Sequence, residues 1–260
     1  EILSGLVGSE MCIRDSTWDI PGGSKVIYSK KYLLVQGVSL TSGLQRISAS
    51  TDLQSATNPL IINTENLDLG QLGSWAGLAS YQPDGRMNGT VKVDKIFSGL
   101  FVTANIKATG VMLGPDTVGA INLVGSYDGI KNMLSLDPQT GIYRDNASVV
   151  ASGNISFDTT ADQKLDGRIQ FNDAPVAWSS PFLNSFMSHL AGTVNGTIAI
   201  TGSSAEPEIK GTLALHKVAM RLDFMGCNYT IPSGEVKIDN KRISFSKVQA
   251  MDRFNNTASI

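Results

Sequence analysis

Strict two-residue alternation of apolar and polar side chains is the feature that most constrains the fold of this chain. Successive side chains of a strand point to opposite faces, so each alternating segment has one apolar face and one polar face. The pattern predicts an all-β chain whose strands together build a long apolar surface, and we place the function on that surface. The clearest segments are residues 90–94 (TVKVD), 168–172 (RIQFN), 197–201 (TIAIT), 235–239 (EVKID) and 242–246 (RISFS).

Composition supports strands and argues against nucleic acid as a partner. Charged residues are 17% of the chain, below the roughly 25% of ordinary soluble domains. Gly, Ser, Thr and Asn fill the difference, and they suit strands and tight turns. The net charge is −2 and there is no basic run, whereas nucleic-acid binding depends largely on neutralising phosphates. No stretch reaches the length of about 20 apolar residues that spans a bilayer.

No motif for catalysis or metal binding stands in the sequence. His189 and His216 are the two histidines, and neither has a metal-ligand spacing. There is no GxSxG elbow, P-loop or GxGxxG after a strand. Cys227 is the one cysteine beyond residue 16, and a small apolar residue on a strand is a commoner role for it than a reactive thiol. We therefore predict no enzymatic activity, no metal and no cofactor.

The two ends of the chain predict its organisation. Residues of about 9–16 include EMCIRDS, which resembles the translated read-through of a sequencing adapter, so residues 1–16 are predicted to be a non-native artefact. Residues 257–260 read as the start of a strand, so we expect a piece of a longer protein. The remainder is divided into residues 17–145 and 146–260, two β segments of one continuous architecture that is truncated at both ends.

Two segments have helical spacing. Residues 67–78 place Leu69, Leu72 and Trp75 on one side, although three glycines weaken this helix. Residues 180–190 form the best predicted helix, with Ser180 at the N-cap, Pro181 after it and Gly192 as a stop. We expect both helices to be short caps on the sheet. Gly-Thr pairs before an aliphatic residue, as at Gly196, predict turns or kinks at the heads of strands.

The last third of the chain resembles a known family. The resemblance rests on residues 181–183 (PFL) and the helix they begin, 190–202 (LAGTVNGTIAITG) and 207–215 (PEIKGTLAL). It continues through Tyr229 to Pro232, the hairpin of residues 236–245, and Asp252 before Asn255 and Asn256. Asn255 stands where the family more often has Gly, and Asn tolerates the left-handed conformation of such a turn. These segments resemble the C-terminal region of the translocation and assembly module protein TamB, within the AsmA-like group. Coverage is good from about Gly89 onward.

The resemblance implies an elongated, curved β-sheet groove, a β-taco or open solenoid-like fold, apolar within and polar outside. It also implies a Gram-negative periplasmic protein held in the inner membrane by an N-terminal helix that this chain lacks. The partners it implies are phospholipid acyl chains and an outer-membrane barrel of the TamA or BamA type. About twenty strands spaced 4.8 Å apart give a groove on the order of 100 Å long. The predicted lining residues are Val91, Val93, Ile169, Phe171, Ile198, Ile200, Leu213, Leu215, Val236, Ile238, Ile243 and Phe245.

Three functions remain open at this point. The first is a conduit for phospholipid between the two membranes. The second is a scaffold for the translocation and assembly of outer-membrane or autotransporter proteins, whose strand edge pairs with an incoming strand. The third, more distant, is a secreted β-helical adhesin, which predicts a closed dry core and regular rung lengths.

Overall fold

A computed structural model describes residues 10–13, 16–20, 22–55, 57–157, 164–203, 205–252 and 257–259, with side chains omitted for residues 10–17, 258 and 259. Most of the predicted N-terminal artefact therefore lies outside the described residues, as does the turn at Asn255. Residues 10–13 form a strand that pairs with residues 16–19.

Twenty strands, two short α-helices and two 3₁₀ turns make up the regular structure of these residues. The all-β class, the large curved antiparallel sheet and the two short helices confirm the predicted fold class. In the first half, the elements are β1 (Glu10–Ile13), β2 (Ser16–Asp19), β3 (Lys25–Ser29), β4 (Tyr32–Gln36), β5 (Val38–Ser42), β6 (Gln45–Thr51), β7 (Leu60–Asp68), α1 (Leu69–Trp75), a 3₁₀ turn (Ala79–Tyr81), β8 (Pro83–Asp94), β9 (Phe101–Leu113) and β10 (Asp116–Asp128). They are followed by β11 (Met133–Leu136), β12 (Gly141–Arg144), β13 (Ala147–Ser156), β14 (Lys164–Pro175), a 3₁₀ turn (Val176–Ser179), α2 (Ser180–Leu183), β15 (Met187–Ser203), β16 (Pro207–Leu222), β17 (Cys227–Asp239), β18 (Arg242–Ser246), β19 (Gln249–Asp252) and β20 (Thr257–Ser259).

The main sheet is an antiparallel meander in which neighbours in sequence are neighbours in space. β2 pairs with β5, and the order then runs from β5 to β10 without a crossover. β11 and β12 share one position between β10 and β13, and β18 and β19 share one beside β17. Since β3 and β4 pair only with each other in the described residues, the main sheet has eighteen strands, which occupy sixteen positions. At about 4.8 Å each the sheet is roughly 70 Å long, shorter than predicted.

Thr51 on β6 links the β3–β4 hairpin to the main sheet. The backbone N–H of Val35 donates to the Thr51 hydroxyl at 2.5 Å, and that hydroxyl lies 3.1 Å from the Val35 carbonyl. Both residues are buried, so the two contacts satisfy backbone groups of β4 that have no partner strand on that side.

Helix α1 falls within the predicted segment of residues 67–78. Asp68 caps it, since its carboxylate accepts from the Gln71 backbone N–H at 3.0 Å. The same carboxylate pairs with Arg86 on β8 at 2.9 Å. The cap and the ion pair together hold a glycine-rich helix against the end of the sheet.

The predicted helix over residues 180–190 is wrong in its length. Helix α2 ends at Leu183, and Met187 already pairs with Leu222 as the first residue of β15. His189 therefore lies on a strand, in a positive-φ conformation. Asn184, Ser185 and Ser188 are weak helix formers, and the ladder with β16 supplies the backbone partners that a longer helix would supply.

The Gly-Thr pairs also lie elsewhere than predicted. Gly89, Gly192, Gly196 and Gly211 stand inside β8, β15 and β16 rather than at strand heads. A Cβ on Gly196 would approach the Thr212 carbonyl oxygen to 2.1 Å, and its φ is +147°. Glycine here permits close approach of two strands, which is its role at a bend in a sheet.

Candidate functional site

Paired residues on neighbouring strands of β7–β18 form continuous rows across the sheet. Residues directly opposite each other in an antiparallel pair carry their side chains on the same face, so a row marks out one face. One row crosses eleven strands and contains no polar side chain. Its members are Leu67, Met87, Ala108, Ile121, Ile142, Val149, Phe171, Gly196, Leu213, Val236 and Phe245.

Parallel rows continue this surface, which we call the apolar face. A second row runs from Val38 on β5 to Ile209 on β16. Two further rows run through Leu60 and Ala151, and they contain no charged residue. The second row is Val38, Ala49, Ile62, Val91, Ala104, Gly125, Leu136, Gly153, Gly167, Ile200 and Ile209; the third is Leu60, Val93, Val102, Tyr127, Leu134, Ile155, Leu165, Gly202 and Pro207; the fourth is Ala151, Ile169, Ile198, Gly211, Ile238 and Ile243.

All twelve residues predicted to line a groove lie on the apolar face. Eleven belong to the rows, and Leu215 lies two residues beyond Leu213 on β16, paired with Val194 and Gly234. Ten of the twelve are half-buried. Ile243 and Phe245 are 60% and 48% exposed, because β18 is paired on one side only among the described strands. The structure thus places the predicted residues on one surface; lipid contact stays a prediction.

Sequence reasoning missed most of the face between β9 and β13. Ile106, Ile121, Ile142 and Val149 belong to it but were not predicted. Their strands carry Ala, Gly and Ser between the larger side chains, which blurs the contrast between the two faces. The alternation of Ala104, Ile106 and Ala108 is the signal that would have found β9.

The opposite face, which we call the polar face, carries the charges and hydroxyls. Ser135 donates to Asn154 at 2.6 Å and Thr90 donates to Asn63 at 2.7 Å, both across strand pairs. Lys210 pairs with Glu208 at 3.1 Å, and this hydrogen bond raises the pKa of Lys210. Eight consecutive polar residues of one row are Lys92, Thr103, Ser126, Ser135, Asn154, Asp166, Thr201 and Glu208, and Ile61 continues the row beyond Lys92.

Two covers close small parts of the apolar face. Leu69 of α1 packs against a buried cluster of Ala108, Val111 and Val118 on β9 and β10. Val176, in the 3₁₀ turn before α2, packs against a second cluster formed by Val218, Ile231 and Val248. Between and beside these clusters most side chains of the face are half-buried.

A broad hollow lies on the polar face. It has a volume of about 620 Å³ and is bordered by Thr90, Lys92, Thr103, Asn105 and Ser126 among others. It is broad and open, and Lys92 within it is paired with Asp94 at 3.6 Å. A smaller cavity of about 160 Å³ lies on the apolar face, beside Leu136, Ile155, Leu165, Ile169 and Ile200.

The described residues contain no side-chain cluster of the kind that holds a metal ion. No group of three His, Cys, Asp or Glu side chains comes together among them. Cys227 is exposed at the start of β17, not packed as a small apolar residue, and its thiol lies 3.4 Å from the Met225 carbonyl. None of the helices in the described ranges has the length and apolarity to cross a bilayer.

Comparison with known protein families gives a match to the later part of the chain. The family model of the TamB C-terminal domain matches residues 140–256, which are 117 of the 260 residues. No curated protein and no solved structure matches the chain. The matched segment runs from β12 to the end of β19 and contains ten of the twelve predicted lining residues. Over these residues the chain is similar to the TamB C-terminal domain, which confirms the resemblance predicted from the sequence.

Proposed function

We propose that this chain is a segment of a TamB-like protein whose apolar face carries phospholipid acyl chains between the inner and outer membranes. The observation that carries the proposal is the continuity of the apolar rows. Eleven strands, from β7 to β18, contribute to one row without a charged or polar side chain. Ten spacings of about 4.8 Å give that row a length of roughly 50 Å.

Energetics and length both fit an acyl chain as cargo. Burial of each methylene group yields about 0.8 kcal/mol without any directed polar contact. The hydrocarbon core of a bilayer is about 30 Å thick for its two leaflets. The apolar row is therefore longer than a single acyl chain. An acyl chain on the apolar face can therefore move along it while keeping the same kind of apolar contact.

The location and the partner belong to the same proposal. We place the protein in the Gram-negative periplasm, anchored in the inner membrane through an N-terminal helix. An outer-membrane barrel of the TamA or BamA type would receive the cargo or dock the end of the sheet. The TamB match over residues 140–256 supports the envelope setting.

Charged substitutions on the apolar face test the proposal. Ile238→Asp and Phe171→Asp place a carboxylate among half-buried apolar side chains, and we expect phospholipid delivery to the outer membrane to fail in cells. The matched controls are Lys237→Asp and Gln170→Asp, one residue away on the polar face. Normal delivery by stably expressed Ile238→Asp and Phe171→Asp would overturn the proposal.

A second candidate function is a scaffold for outer-membrane protein assembly, and it is supported by the edge of the sheet. β18 pairs with β17, and no other described strand pairs with it. An incoming strand could add to such an edge through backbone hydrogen bonds. For this function a proline on β18 would impair activity more than Ile238→Asp does, so the two variants separate the candidates.

The adhesin hypothesis has less support. The described strands range from three residues in β20 to seventeen in β15, whereas a β-helix requires regular rungs. Lipid retained in a purified sample would favour the conduit over an adhesin.

A further inference from the structure

The small cavity on the apolar face is a built feature, since a pair of facing glycines forms its floor. Gly153 on β13 pairs directly with Gly167 on β14. Leu136 and Ile200 continue the row on either side. Between these two larger side chains the row has no Cβ on two successive strands, and the surface drops. The cavity of about 160 Å³ lies at this point.

Gly167 differs from the other glycines of the face because the backbone does not require it. A Cβ on Gly153 would lie 2.1 Å from the Asp166 carbonyl oxygen, and Gly153 has a φ of +136°. Carbonyl oxygens would also be met at 2.9 Å or less from Gly89, Gly125, Gly196 and Gly211. A Cβ on Gly167 would meet nothing closer than 3.8 Å, and its φ is not positive. The missing side chain at residue 167 therefore leaves open space that the fold itself does not use.

The lining of this space selects an uncharged, chain-like occupant. Ile155, Leu165 and Ile169 border it together with Leu136 and Ile200. Charged neighbours such as Asp166 and Arg168 alternate with these residues and so point to the polar face. An apolar cavity of about 150 Å³ takes up a ligand the size of benzene, so this one has room for a few methylene groups. A lipid headgroup would find no partner for its charge here.

We propose that Gly153 and Gly167 form a seat in which a bend or the end of one phospholipid acyl chain is held. The inference rests on the proposed function, and it adds that the face is not uniform along its length. An acyl chain is held at the cavity above Gly153 and Gly167, and it moves along the rows elsewhere on the apolar face. Gly153 is required by the close strand pairing, whereas Gly167 is the residue that keeps the seat open.

Two photo-crosslinking probes distinguish the seat from the face as a whole. The full 260-residue chain carries a benzophenone side chain at Ile200, beside the seat, or at Ile238, remote from it on β17. Each protein is mixed with phosphatidylcholine vesicles and irradiated, and lipid adducts are quantified by mass spectrometry. Gly167→Leu fills the seat, and we expect it to lower adducts at Ile200 at least fivefold while those at Ile238 are unchanged.

Matched variants keep the experiment decisive. Asp166→Leu adds the same side chain to the polar face and is expected to change neither probe. Gly167→Ala adds one methyl group into open space, and it should give an intermediate reduction of lipid adducts at Ile200. This variant replaces Gly167→Leu if Gly167→Leu does not fold. Unchanged adducts at Ile200 in folded Gly167→Leu overturn the seat but leave the conduit standing. Absence of adducts at both probes in the unsubstituted chain overturns the conduit itself.

Discussion

The region beneath α1 and the region of β14–β18 carry the same alternation but differ in what covers them. Val111 and Val118, beneath α1, are 2% and 4% exposed. Val236, in the row that passes through β17, is half-buried, and Phe245 at the end of that row is 48% exposed. One face therefore serves as a closed core at one place and as an open surface at another. The comparison teaches that alternation determines which face is apolar, whereas the covering segments determine where that face is available to a ligand.

The largest expected effect comes from placing the same charge in each region. Val111→Asp buries a carboxylate without a partner, and we expect it to lower the free energy of unfolding by several kcal/mol. Val236→Asp keeps its carboxylate in contact with water on the open face, and the expected loss is about 1 kcal/mol. Urea denaturation of both variants measures the difference. Equal losses would contradict the distinction between a closed and an open part of the face.

Glycine substitutions sharpen the comparison within the open region. Gly196→Ala forces a Cβ against the Thr212 carbonyl at a φ of +147°, so we expect a loss of about 1–3 kcal/mol in unfolding free energy. Gly167→Ala has room and an ordinary φ, and it should be neutral or stabilising by up to about 1 kcal/mol. Thermal unfolding of the two variants gives the ordering. A Gly167→Ala variant as unstable as Gly196→Ala would show that residue 167 is structural.

The covering role of α1 is tested by removing its N-cap residue, Asp68. Asp68→Ala deletes the acceptor for the Gln71 backbone N–H and the partner of Arg86, and a lost N-cap costs about 1 kcal/mol. We expect faster hydrogen exchange in α1 together with increased binding of a hydrophobic dye to the newly uncovered face. Lys237→Ala, on the exposed polar face of β17, is the matched control. No change in dye binding would mean that α1 is not what closes this region.

The sequence predicted which side chains share a face better than it predicted the lengths of the helices or the segments that cover the face. Alternation in residues 168–172 and 235–239 placed Phe171 and Ile238 on one surface, since a period of two leaves a strand only two ways to turn its side chains. It could not show that Ile142 and Val149 join them, because β12 and β13 become part of this face only through their pairing with β10 and β14.

The error at residues 180–190 has a physical cause. Phe182, Phe186 and Leu190 have helical spacing, but Phe182 is 74% exposed and Phe186 is 41% exposed. A longer helix would therefore not be stabilised by packing of these side chains in a core. Pairing of Met187 with Leu222 is a long-range contact that periodicity within the segment cannot reveal. The sequence could not reveal the open space at Gly167 either. A glycine that the backbone conformation requires and one that it does not require look the same in a sequence.

Photo-crosslinking in living Gram-negative cells tests the central claim most directly. The probe replaces Ile238 on the apolar face or, as the control, Lys237 on the polar face of the same strand. If the apolar face carries phospholipid, lipid adducts form at Ile238 and not at Lys237. Protein adducts at both positions, or no adduct at either, would contradict the account and favour an assembly scaffold or a closed β core.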